Sequence, residues 1–190
     1  VAIVVGGGNF WRYRDNKHLK IPRSASDALG MLATMMNARL LEEALKAIGV
    51  KAHALAAHGE FYFTEPYVPS RGKNLLARKE VVICAGGTGN PYFTTDTAAA
   101  LRALELECEV LFKDTKVQGV YDRDPIKYKN AKFFPKISYD EILKRELKIM
   151  DLTSIVLCKE NGLPVHVFQG KRGNLLKAAT GKKIGTLITQ

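Results

Sequence analysis

The run GGTGNPYFTT, Gly86 to Thr95, constrains the fold most, because it follows directly on five apolar residues, Val81 to Ala85. A continuously apolar run of that length, closed by glycine, predicts a strand buried on both faces, as in a parallel sheet covered by helices. A second junction of the same kind opens the chain, where Ala2 to Val5 runs into Gly6, Gly7, Gly8 and Asn9. Further strands are expected at Val50 to Leu55, Val110 to Lys113, Val165 to Phe168 and Thr186 to Ile188, alternating with helical patterns. That alternation is the order of βαβ units, so the expected class is α/β with a largely parallel sheet.

The first helix is announced by Leu29, Leu32, Met36, Leu40, Ala44 and Ile48 at three-to-four-residue steps, with Glu42 and Glu43 off the stripe and Gly49 placed to stop it. Its methionines are expected to fill the core. A second helix is expected to follow Thr94 and Thr95 through Leu104, with a hydroxyl as N-cap. The pair Ser138 and Glu141 has capping-box spacing, and Asp151 to Glu160 reads as a helix ending at Asn161-Gly162. Gly119 to Pro135 lacks a clean period and is assigned to a hairpin or loop. With 190 residues, the chain fits a single domain over 1–190.

Apolar residues make up 46% and charged residues 25%, ordinary for a soluble globular protein, and no run is long enough to span a bilayer. No membrane partner is expected. A net charge of +10 draws anions of any kind, nucleotides, nucleic acid or a membrane face, without choosing among them. The denser stretches Arg71 to Lys79 and Lys127 to Lys136 read as solvated faces. The cluster Trp11, Arg12, Tyr13 and Arg14 falls far short of a nucleic-acid module, so nucleic acid is at most a secondary partner. Cys84, Cys108 and Cys158 have no CxxC or Cys/His spacing, which argues against zinc and disulfides and favours a reducing cytoplasm. His18, His53, His58 and His166 show no metal or nucleophile spacing. No basic stretch precedes the first apolar run, so no signal peptide is expected.

Both glycine loops lie at strand C-termini, the edge of an open α/β sheet where loop amides and helix N-termini bind ligands. Glycines let backbone come close to phosphate oxygens. Neither loop matches GxxxxGK[ST] or GxGxxG. Gly6 to Gly8 taken alone reads equally as a tight turn. The second loop is more specific, because Thr88, Asn90, Thr94 and Thr95 gather many donors in one place. Asp27, near the head of the first helix, reads either as a partner of the helix dipole or as an acceptor for ribose hydroxyls. Lys113 ends an apolar strand and Thr115-Lys116 follows it, a cation and a hydroxyl of the kind that phosphoryl transfer uses. Asp96 and Asp151 each open a helix. Asp96 directly follows the donor-rich loop and is the stronger candidate.

The segments GGGNFWR (Gly6 to Arg12), DALGMLATMMN (Asp27 to Asn37), GGTGNPYFTTDTAAALRALELE (Gly86 to Glu107), KDTKVQGVYDRDP (Lys113 to Pro125), ELKIMDL (Glu146 to Leu152), LPVHVF (Leu163 to Phe168) and GTLIT (Gly185 to Thr189) together resemble the bacterial UMP kinases of the amino-acid-kinase superfamily. The resemblance implies a three-layer αβα sandwich with a mainly parallel central sheet. It implies a cytoplasmic enzyme that moves the γ-phosphoryl group of ATP to UMP with Mg²⁺, for pyrimidine nucleotide supply. It places UMP at Gly7, Asp27, Thr88, Gly89, Asn90, Pro91, Tyr92, Phe93, Thr94 and Thr95. It places ATP at Gly8, Arg12, Thr115, Tyr121 and Asp124, and makes Asp96, Asp151 and Lys113 the catalytic candidates. Tyr121 suits stacking on adenine, and Asp124 suits accepting from base or ribose. The resemblance also implies a homohexamer, activated by GTP and inhibited by UTP.

Members of that group begin with a strand ending in a KLSGE-type turn whose lysine and amides hold the transferring phosphates, and this chain starts after it. The first strand and helix of the fold are expected to lie in a longer gene product. Loss of one such charge-stabilising group costs roughly 10²–10³ in rate. The competing readings are another kinase of the superfamily, with aspartate, glutamate or carbamate as acceptor, and a non-catalytic nucleotide-binding or storage protein on the same fold.

Overall fold

Strands and helices alternate through the chain, and the computed structural model, which describes residues 1–59 and 62–190, divides them between two units, Val1–Glu107 and Cys108–Gln190. The first unit contains β1 (Ala2–Val4), α1 (Arg23–Ala47), β2 (Ala52–Ala56), β3 (Glu65–Pro66), α2 (Pro69–Ala77), β4 (Val81–Ala85) and α3 (Thr95–Glu105). Its strands lie in the order β1-β4-β2-β3, all parallel. Val4 pairs with Cys84 and Ala85 with Ala56, so β1, β4 and β2 end at one edge of the sheet.

The core beneath α1 is built largely of alanine: Ala38, Ala52, Ala54, Ala56 and Ala85, with Ile83, and Met35, Leu41 and Leu45 half-buried against them. Small side chains let a helix lie close on a sheet, and they decide which face of α1 turns inward. The expected stripe is therefore wrong in direction. Leu32 is 57% and Leu40 69% exposed, whereas Ala33, Thr34, Ala38 and Glu42 are buried. Glu42, expected to be off the buried face, is held there by Arg39 at 2.7 Å and Lys46 at 2.8 Å. Of the methionines in this helix, Met36 points to solvent rather than filling the core. Gly49 does follow the last turn, at a left-handed φ of 80° that suits glycine. Helix α2, absent from the sequence-based expectation, starts with Pro69, whose fixed φ suits the first helical position.

The second unit contains β5 (Leu111–Thr115), β6 (Val120–Tyr121), β7 (Phe133–Phe134), β8 (Lys136–Ser138), α4 (Tyr139–Lys144), α5 (Leu152–Glu160), β9 (Val165–Gln169), α6 (Asn174–Ala179) and β10 (Thr186–Thr189). Its main sheet runs β5-β9-β10-β8, with β10 antiparallel to β9 and the other pairings parallel. The segment expected to be a hairpin or loop carries the antiparallel ribbon β6–β7, pairing Val120 with Phe134. Ile137, Ile142, Ile155, Val165, Val167 and Ile188 fill the core, with the Tyr139 hydroxyl donating to Leu163 O at 2.5 Å. Ser138 caps α4 and Asp151 caps α5. The α/β class and the mainly parallel pairing are as expected. Among the described residues no helix is long and apolar enough to cross a membrane.

Candidate active site

In the first unit, the loops after β1 and β4 emerge side by side because those strands pair in parallel. An added Cβ at Gly6 would sit 3.6 Å from Thr95 Oγ1, so the head of α3 borders the first loop. Gly7 is buried, and a Cβ there would fall 2.6 Å from Gly30 O and 2.8 Å from Ala33 Cβ, so the approach of α1 demands glycine. Its carbonyl accepts from the amides of Phe10 and Trp11. At Gly8 the nearest atom to such a Cβ is Arg12 Nε at 2.5 Å, which lays the guanidinium against the Gly8 backbone. Asn37 donates to Gly6 O at 2.7 Å and exchanges amide hydrogen bonds with Asn9. Asn37 carried no signal of its own in the sequence, since a polar residue on a helix usually faces water.

The loop Gly86–Thr95 is tied down at several points. Gly86, Gly87 and Gly89 all have left-handed φ, which glycine adopts without strain. The Gly86 amide donates to buried Thr34 Oγ1 at 2.7 Å, and the Gly89 amide to Gly86 O at 3.0 Å. Thr88 Oγ1 accepts from the Asn90 amide at 3.1 Å. Pro91 precedes Tyr92, whose φ is 72° and whose amide donates to Asp27 Oδ2 at 2.8 Å. The carboxylate of Asp27 also receives Arg23 Nε at 2.8 Å on both oxygens. Asp27 sits in the second turn of α1 and joins that helix to the loop, so a purely dipolar role is the weaker of its two readings. The Arg23 guanidinium stacks 4.7 Å from the Tyr13 ring. Thr34 was not singled out by sequence and His58 (2.7 Å from Gly89 O) was given no role, because only the folded loop brings them to it, while Arg23 is the i,i+4 partner of Asp27 on α1 and was passed over. Tyr92, Phe93, Thr94 and Thr95 are exposed, and Thr94 Oγ1 caps α3 by accepting from the Thr97 amide. Asp96 occupies the first turn of α3, where a carboxylate meets the positive end of the helix.

In the second unit, Lys113 and Thr115 stand two residues apart on β5 and so share one face. The Thr115 hydroxyl is engaged within its own turn, donating to Val117 O at 2.7 Å. Tyr121 on β6 packs against Phe133 with ring centroids 5.3 Å apart. Asp124 Oδ1 accepts from the Ile126 amide at 2.9 Å, which closes the turn after the ribbon strand. Asp122 accepts from the Lys132 amide at 2.7 Å; that bond, with Arg123 beside it, holds its carboxyl below the usual range. Asp151 accepts from the Ser154 amide at 3.1 Å at the head of α5. Gly7, Gly8, Arg12, Asp27, the loop Thr88–Thr95 and Asp96 thus gather at one sheet edge of the first unit. Lys113, Thr115, Tyr121, Asp124 and Asp151 belong to the second.

A family model, described as the amino acid kinase family, matches residues 1–169. The chain belongs to the amino acid kinase family. Among solved structures similar to this family member, the UMP kinase of Ureaplasma parvum is 36% identical with a TM-score of 0.95, over 100% of this chain and 82% of that one. The UMP kinase of Bacillus anthracis is 30% identical with a TM-score of 0.96, over 100% and 79%. The uridylate kinase of Archaeoglobus fulgidus is 29% identical with a TM-score of 0.78, over 100% and 84%. Membership makes the chain a kinase of the amino acid kinase family. The glycine edge of its first unit then acquires a chemistry, since phosphates are what such a cradle of amides and cations accommodates.

Proposed function

We propose that this kinase uses UMP as its acceptor and ATP as its donor, making UDP and ADP for pyrimidine nucleotide supply in the cytoplasm. The observation that carries this is the loop Gly86–Thr95, a set of glycines, hydroxyls and an Asn anchored on α1 through Asp27 and Thr34. Supporting it, the similar structures above are UMP or uridylate kinases. In this reading Gly7, Asp27 and Thr88 to Thr95 hold UMP. ATP is assigned to Gly8 and Arg12 in the first unit, for its phosphates, and to Thr115, Tyr121 and Asp124 in the second, with Tyr121 and Asp124 taking the base and ribose. A phosphate oxygen of UMP forms the new bond to the γ-phosphorus as the bond to the β–γ bridging oxygen breaks. ADP leaves. Arg12 and Lys113 offset the charge on the moving group.

Asp96 and Asp151 are hard oxygen donors, a chemistry that fits magnesium. Mg²⁺ would come with ATP, and its charge would neutralise the triphosphate; Asp96 would help organise the metal or phosphates from the first unit, and Asp151 is given a supporting role from the second. We also propose a homohexamer with GTP as activator and UTP as inhibitor. The exposed leucines of α1 support self-association, and a cavity beside the N-terminal ends of β2 and β4 is lined by Lys46, Lys51, Arg71 and Arg78 against the single acid Glu80, an excess of cations, two of them paired with Glu42 and Glu65, that suits an anionic effector. An ADP-release assay on the full-length protein, offering UMP, CMP, aspartate, glutamate and carbamate separately, should find UMP the best acceptor by a wide margin. Another acceptor in first place would overturn the proposal.

A further inference from the structure

Arg102 lies in the last turn of α3, at the opposite end of that helix from Thr95 and Asp96, and is only 5% exposed. Its Nη2 donates to Gly87 O at 3.0 Å, its Nη1 to Glu105 Oε2 at 2.6 Å, and its guanidinium carbon lies 4.1 Å from the Tyr67 ring centroid. Its Nε is buried without a hydrogen-bond partner among the described residues. A buried cation is costly, and an incompletely satisfied one more so. Apolar packing at the same place would often be at least as stable. Stability alone is thus a poor account of this arginine.

We infer that Arg102 is a positioning residue for the acceptor loop, fixing the peptide between Gly87 and Thr88 from inside the core. The inference rests on the proposal that Gly86–Thr95 receives UMP. In a trans peptide the C=O and the N–H point in opposite directions. Tying Gly87 O to the buried guanidinium therefore turns the Thr88 N–H away from the core, toward the outer side of the loop. Gly87 has φ of 60°, and with a conformation open to glycine on both sides of zero this peptide needs an external anchor to hold one orientation. The other anchors act elsewhere in the loop: Thr34 on the Gly86 amide and Asp27 on the Tyr92 amide. The planar fork matters as well as the charge. It serves Gly87 O and Glu105 at once, and a lysine ammonium on a flexible stem does not reproduce that geometry.

The test uses the full-length protein with Arg102→Lys, and with the double variant Arg102→Met/Glu105→Gln, which leaves no half-buried carboxylate without its partner if the lysine variant folds poorly. Steady-state kinetics and backbone amide exchange are measured for each. The expected result is a KM for UMP raised roughly tenfold with the KM for ATP changed less than about twofold, as loosened positioning of one substrate predicts. Faster amide exchange should be confined to Gly86–Thr95. Parallel changes in both KM values, or unchanged exchange across the loop with only a lowered melting temperature, would overturn the inference and leave Arg102 a structural residue. If wild-type protein does not phosphorylate UMP, the acceptor assignment falls, and the exchange measurement still decides whether Arg102 anchors the loop.

Discussion

Cys158 is fully buried beside Tyr139, and burial pushes its thiol up to about 11, with the Tyr139 hydroxyl pulling the other way and Asp151 adding to the rise. A folded-state pKa above the unfolded one means that the protonated thiol favours the fold. That contribution is complete below the ordinary thiol value of 9.0 and is lost as pH climbs toward 11. The loss amounts to at most about 3 kcal/mol over that interval. Urea titrations should show wild type losing stability faster than Cys158→Ala between these two pH values; a gap between the two proteins that stays constant with pH would contradict it. At this scale the sequence was informative wherever residue type alone limits the chemistry. Sequence marked Gly7 as part of a close turn and Asp27 as an acceptor, but not what they meet: the backbone of α1 at Gly7, and Arg23 with the Tyr92 amide at Asp27. The Tyr92 amide could not be anticipated as a partner because it lies 65 positions along the chain, whereas Arg23, one helical turn before Asp27, is a local i,i+4 partner that the sequence reading passed over.

Helix caps were legible because a cap is a local hydrogen bond: Thr94, Ser138 and Asp151 each accept from the amide three residues on. The inward face of α1 was not. Its large apolar residues lie at helical spacing, and periodicity locates a stripe without saying what covers it. The alanines of β2 and of α1 settle that question in favour of the other face. The exposed stripe gives a prediction for the proposed assembly. Replacing Leu32 by Glu and Leu40 by Lys should change stability by no more than about 0.5 kcal/mol, as for an ordinary surface site. It should lower the mass seen by sedimentation, and an unaltered mass would remove α1 from the contact. Ala38→Leu, on the buried face, should instead cost about 1–3 kcal/mol through overpacking.

Across the whole molecule the net charge is +10, and the second unit carries the greater share of the excess. If that charge serves capture of anionic substrates, kcat/KM should fall several-fold between roughly 50 and 200 mM salt, as screening of exposed charge requires. An ionic-strength series at constant pH checks this, and a flat profile would assign the charge to solubility instead. The α/β class, the parallel strands and both glycine junctions were determined by sequence alone, because strand burial and glycine conformation are written in short stretches of chain. The strand order β1-β4-β2-β3, the turn of β10 against β9, the outward leucines of α1 and the buried Arg102 behind the acceptor loop were decided only by tertiary structure. Each depends on which distant residue fills the space beside it. The glycine loop is thus a local fact, and its orientation is a global one.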